Sequence, residues 1–122
     1  MNFKVIMTTL LILYTIGIFV IAIIPNLSGV QGLANHDKLI HATEYFIFTL
    51  LILATFAVDE ISNYYAVALI VILTLIILSE TVQIPIIGRT FDVRDMIADL
   101  SGVALGYILF FLGRKEWMQF KQ

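Results

Sequence analysis

Four apolar stretches, each about twenty residues long, occupy most of this chain, and nothing else in it limits the possible folds as much. The first, "VIMTTLLILYTIGIFVIAII", runs from Val5 to Ile24 without a charge. At about 1.5 Å of rise per residue, a helix of that length crosses roughly 30 Å of hydrocarbon. Backbone amides in lipid have no water to bond, so such a stretch must pair its own N–H and C=O groups as a helix. The spans predicted are Val5 to Ile24, Leu39 to Val58, Tyr64 to Ile84 and Val93 to Leu112. Only 13% of the 122 residues are charged, against roughly 25% in a soluble domain. The expectation is an all-α polytopic membrane bundle of four transmembrane helices, forming one domain over residues 1–122.

The connections are short. Pro25-Asn26 ends the first span, because proline lacks an amide hydrogen and disfavours helical geometry in the residue before it; "NLSGVQGLANHD" then leads to the second. "DEISN" forms the next turn, and after it Tyr64 and Tyr65 stand where an interfacial aromatic belt lies. Pro85 and Gly88 break the third span, and Trp117 reads as an interfacial anchor. The start resembles a signal peptide in having Lys4 before an apolar run. The run is longer than the usual signal core and no small-residue cleavage site follows, so it reads as a retained helix.

Several function classes drop out early. The chain has no cysteine, which excludes disulfides, thiolate metal sites and a cysteine nucleophile. A formal net charge of −2 leaves no basic stripe, so nucleic acid is not an expected partner. Glycine-rich phosphate cradles and G-x-S-x-G elbows are absent.

Against this apolar background, residues 79–102 read "SETVQIPIIGRTFDVRDMIADLSG" and collect Glu80, Gln83, Arg89, Asp92, Arg94, Asp95 and Asp99. The second span opens "DKLIHATEYF", in which Asp37, His41, Glu44 and Phe48 share one helix face, bordered by Lys38 and Tyr45. Glu80 and Gln83 share a face at the end of the third span, and Asp92, Asp95, Asp99, Gly102 and Gly106 share one in the fourth. In a four-span chain the second helix starts, the third ends and the fourth starts on one side of the membrane. From Lys38 to Glu44 the helix descends about 9 Å, so Glu44, Glu80 and Asp99 lie below the headgroups. At the bilayer centre each charge would cost about 2.5 to 3.5 kcal/mol; groups at this depth therefore need partners, protons or water.

Each group has a local explanation. His41 and Glu44 can satisfy one another at i,i+3, Glu80 and Gln83 can reach the headgroup layer, and Asp92 and Asp95 can cap a helix. Asp99 lies a turn deeper and resists such an account. Their coincidence at one end of a small bundle points to a site. The small residues Gly102 and Gly106 allow close helix approach in lipid, and an intramolecular contact is the simpler use of them.

The same residues carry a family resemblance. "DKLIHATEYF", "SETVQ" and "GRTFDVRDMIADLSGVALG" resemble the VanZ-like family, whose pattern runs D-K-x-x-H-x-x-x-Y, E-x-x-Q, R-x-x-D-x-x-D and G-x-x-x-G. Here these motifs fall on Asp37, Lys38, His41 and Tyr45; on Glu80 and Gln83; on Arg89, Asp92 and Asp95; and on Gly102 and Gly106, covering about residues 37 to 107. The family often has asparagine at the position of Asp99, and Glu44 lies outside its pattern. The family's namesake is linked to low-level resistance to the lipoglycopeptide teicoplanin. The resemblance thus implies a small multi-pass protein of the cell envelope and supplies no reaction.

Three functions remain open. One is a binding protein whose polar pocket takes a membrane lipid, a lipid-linked envelope precursor or an amphiphilic glycopeptide, with Arg89 and Arg94 meeting phosphate or carboxylate groups. Another is an enzyme acting on a lipid headgroup, with His41 as acid or base and Glu44, Glu80, Asp95 and Asp99 as candidate partners. Those carboxylates would either orient His41 or hold a divalent ion; the spacing matches no specific metal motif, so a metal stays the minority option and no cofactor is predicted. The third is a proton-coupled carrier, for which the ions would have to continue across the membrane. Lys4, Arg114, Lys115 and Lys121 share the side of the termini, against Lys38, Arg89 and Arg94 opposite, which predicts cytoplasmic termini in the cell membrane.

Overall fold

The computed structural model describes residues 2–24 and 37–120, the last four in backbone alone. The polar connection beginning at Pro25, the Trp117 side chain and Lys121 lie outside the described residues. Within them the chain is all-helical: α1 (Phe3–Ile23), α2 (Asp37–Val58), α3 (Tyr64–Thr81) and α4 (Val93–Phe120). All four are long and apolar enough to cross a membrane, and large side chains such as Leu13, Ile70, Leu105 and Phe111 stay exposed along them. Hydroxyls within the helices bond their own backbone: Thr15, Thr55, Thr74 and Thr81 donate to carbonyls four residues back at 2.7–2.8 Å. That local bond removes the cost of carrying a hydroxyl through lipid.

Two boundaries differ from those expected by more than two residues. α3 stops at Thr81 rather than Ile84, because the chain tightens into successive i,i+3 turns, Gln83 N–H to Glu80 O and Ile84 N–H to Thr81 O, before Pro85. The segment then reverses at Gly88, whose φ of 81° glycine adopts without penalty. α4 continues past Leu112 to Phe120. Hydrophobicity had bounded that span, but Arg, Lys, Glu and Met are good helix formers and extend the helix beyond its apolar part.

α2 is the element the others pack on. Its Tyr45, Phe48, Ile52 and Leu53 join Ile18 of α1, Ala68, Ile72 and Ile76 of α3 and Val103 of α4 in one core. α1 is tied on by Tyr14, which donates to the Glu44 carbonyl at 2.9 Å and stacks on Phe48 at 6.2 Å. α3 is tied on by Tyr45 and Ser79, whose hydroxyls lie 3.0 Å apart.

The α2–α4 contact is the closest. A Cβ built on Gly102 would stand 2.0 Å from the Ala42 carbonyl oxygen, and one on Gly106 would stand 2.8 Å from Thr49 Cβ. Only hydrogen fits there, so the two glycines set the approach that brings the start of α4 against the start of α2. The far end of the bundle is aromatic: Tyr107 donates to the Tyr65 carbonyl at 2.7 Å, and the Arg114 guanidinium sits 5.3 Å from the centre of the Tyr64 ring.

Candidate functional site

The end of α1, the start of α2, the end of α3 and the start of α4 meet at one end of the bundle, and their polar side chains form two layers. In the outer layer Lys38 is the hub. Its ammonium lies 3.2 Å from Asp92 and 3.7 Å from Asp37, and it donates a short hydrogen bond to Asp95. Asp92 also caps α4: its carboxylate accepts from the Arg94 N–H at 2.8 Å, and its carbonyl accepts from Asp95 at 3.1 Å. The Arg94 N–H, reinforced by the Lys38 ammonium, holds the Asp92 carboxyl below the usual carboxylate range.

His41 lies between the layers. Its Nε2 faces outward, 3.6 Å from Asp95 and 3.9 Å from Asp37, while its Nδ1 donates inward to Asp99 at 2.9 Å. Below it, Glu80 and Asp99 are both 0% exposed. Glu80 Oε2 accepts from the Asp92 N–H at 3.3 Å, which couples the end of α3 to the start of α4. Glu80 Oε1 and Asp99 Oδ2 are buried without a hydrogen-bond partner among the described residues.

Asp37 and His41 also line a polar cavity of about 230 Å³, to which Glu44, Tyr45, Gln83 and Arg89 contribute as well. Arg89 reaches it from the α3–α4 connection, with Nη2 donating to the Ile21 carbonyl at 3.0 Å and Nε buried and unpartnered among the described residues. Beside it, between α1 and α2, runs an apolar groove of about 780 Å³, within the range of pockets that hold whole small ligands. Ile18, Ile21, Ile40 and Glu44 line both spaces, so the polar cavity and the groove meet along a shared wall.

The residues singled out in the sequence occupy distinct places in this arrangement. Asp37, Lys38, His41, Glu80, Asp92, Asp95 and Asp99 form one connected set. Tyr45 is buried against Ser79, Gln83 is buried at the cavity wall, and Glu44 stands where cavity and groove meet. Arg94 departs from the set: its side chain is 83% exposed and 3.6 Å from Asp92, on the outside of the turn. No motif marked the part played by α1. Its groove wall, its Tyr14 bond and the Ile21 carbonyl that receives Arg89 are apolar or backbone features with no motif of their own. Tyr14, a polar aromatic in the middle of an apolar span, was the one available signal.

The model of the VanZ/LLP1 family matches residues 3–114, which takes in α1 to α3, most of α4 and both layers. Neither the curated proteins nor the solved structures contain a match.

Proposed function

The chain belongs to the VanZ/LLP1 family, and from that premise we propose that it binds a membrane-embedded amphiphile, with the headgroup in the polar cavity and the tail in the α1–α2 groove. The observation that carries this reading is the wall shared by the two spaces, formed by Ile18, Ile21, Ile40 and Glu44. A tail enters sideways from lipid and a head reaches water, so an amphiphile could occupy both without leaving the membrane. Arg89 supplies a donor to phosphate or carboxylate oxygens, and Glu44 and the carboxylates beyond it supply acceptors to hydroxyl or ammonium groups. A head with both kinds of group fits this lining, as in a lipid-linked envelope precursor. A lipid-tailed glycopeptide has the same division, in keeping with the antibiotic tolerance linked to the family's namesake.

A second reading draws on one further observation. His41 is held by the buried Asp99 at 2.9 Å, the arrangement of an oriented imidazole. The same site would then carry out acid or base chemistry on the headgroup it binds.

The orientation proposed is cytoplasmic termini with the polar end outside. In a chain without cysteine, single cysteines at Thr90 and Ile61 test it. Thr90→Cys reacts with an impermeant thiol reagent on intact cells, and Ile61→Cys reacts only after permeabilisation. The reverse pattern turns the site inward.

The binding itself is tested by native mass spectrometry of the gently purified protein. Gly17 borders the groove, and a Cβ built there meets nothing within 4 Å, so Gly17→Trp plugs the groove while leaving the polar layers intact. Wild type retains an amphiphile and Gly17→Trp releases it. An empty wild-type protein, or equal retention by both, overturns the proposal.

A further inference from the structure

The carboxylates of the polar end are unequally supplied with cations. Lys38 serves Asp37, Asp92 and Asp95 in the outer layer. Beneath it, Glu80 and Asp99 have His41 and a backbone N–H between them, and each keeps one oxygen without a partner among the described residues. Both residues are 0% exposed, so water does not reach these oxygens from the surface, and a buried acceptor left unpaired is costly. His41, Glu80 and Asp99 each offer a ligand atom, and the three atoms lie within 4.8 Å of one another.

We propose that His41, Glu80 and Asp99 hold one divalent transition-metal ion in the buried layer beneath the polar cavity, which His41 alone of the three lines. One imidazole nitrogen with two carboxylates is a donor set of the kind that binds Zn²⁺, Mn²⁺ or Fe²⁺; all-oxygen sets suit Mg²⁺ and Ca²⁺. Metal–donor bonds of about 2.1 Å put neighbouring donors about 3 Å apart, and His41 Nδ1 and Asp99 Oδ1 are already 2.9 Å apart. With Nδ1 on the ion, the outward Nε2–H faces Asp95 at 3.6 Å and Asp37 at 3.9 Å. Carboxylates in that position orient a ligating histidine and raise its basicity. The two unpartnered oxygens gain the cation they lack. The site stands on the buried cluster alone and does not depend on the groove holding a tail.

The test is a titration of the chelator-stripped, detergent-purified protein with Co²⁺, followed through the visible absorption of the ion. Wild type takes up about one Co²⁺ per chain, saturably. Glu80→Gln and Asp99→Asn each weaken uptake at least about tenfold, since even outer partners of metal ligands contribute that much. Glu60→Gln, at the opposite end of the bundle, leaves uptake unchanged. Pulsed electron paramagnetic resonance of the unaltered protein loaded with Mn²⁺ detects coupling to one imidazole nitrogen, which keeps the test independent of any variant's folding. A wild type without saturable uptake, variants that retain wild-type affinity, or bound Mn²⁺ without nitrogen coupling overturns the site.

Discussion

In the outer layer of the polar end, Lys38 stands among three aspartates with its side chain 47% exposed. In the inner layer, Glu80 and Asp99 are 0% exposed and each has an oxygen without a partner among the described residues. Both layers set carboxylates against a nitrogen group, an ammonium in one and an imidazole in the other, but water decides their worth. Exposed ion pairs are screened and contribute roughly 0–1 kcal/mol; a buried charge without its full complement costs more to desolvate than its attractions return. The outer layer therefore holds helix ends in place. The inner layer bears a desolvation cost that a bound group would relieve, and it is where function is expected.

The sharpest way to break this contrast is to stop the inner layer from closing. Gly102→Ala places a methyl 2.0 Å from the Ala42 carbonyl, a backbone atom that moves only with α2 itself. Overpacking of this kind costs about 1–3 kcal/mol or more. Thermal unfolding in detergent, or the level reaching the membrane, falls further for Gly102→Ala than for Gly106→Ala, which presses on the Thr49 side chain.

Next comes the inner charge itself. Glu80→Gln keeps the shape and removes the negative charge that has no full complement. It leaves the melting temperature unchanged or higher, yet abolishes tolerance of a lipid-tailed glycopeptide while tolerance of a tail-less relative does not change. A variant that accumulates normally and protects as well as the parent makes the inner layer structural only.

In the outer layer Lys38→Met deprives three aspartates of their cation, and the loss is about 1 kcal/mol, shrinking as salt is added. Asp92 gives the smallest effect. Asparagine caps helices about as well as aspartate, so Asp92→Asn loses only the charge, whereas Asp92→Ala also loses the cap, about 1 kcal/mol. The folded-state pKa of Asp92 lies below its unfolded value of about 3.9. Its charge thus adds stability above that value and loses the contribution as pH falls through the folded one. The gap between wild type and Asp92→Asn, measured by thermal melts, closes in acid.

Much of the polar end was legible in the sequence because helical periodicity fixes which residues share a face. Asp37, His41 and Glu44 at spacings of four and three had to line up, as did Asp95 and Asp99, and the membrane aligned the helix ends in depth. The two layers were not legible, since whether Asp95 meets Lys38 or His41 depends on helix rotation set by Gly102 against Ala42. The opposite fates of Arg89 and Arg94 were hidden for a different reason. Both sit near an aperiodic turn, where four i,i+3 bonds between Glu80 and Arg89 and the positive φ at Gly88 decide which points inward. The groove of α1 carried no signal because apolar residues facing a ligand and apolar residues facing lipid look alike in sequence.

The central claim is that one ligand spans the polar cavity and the apolar groove, and its most direct test is a pair of ligands sharing one phosphorylated headgroup, with and without an acyl chain. Affinities are measured for purified wild type and Gly17→Trp. The account predicts that wild type binds the tailed ligand more tightly than the tail-less one, and that Gly17→Trp erases the difference while keeping the headgroup affinity. Equal affinity of wild type for both ligands, or a tail advantage that survives Gly17→Trp, contradicts it.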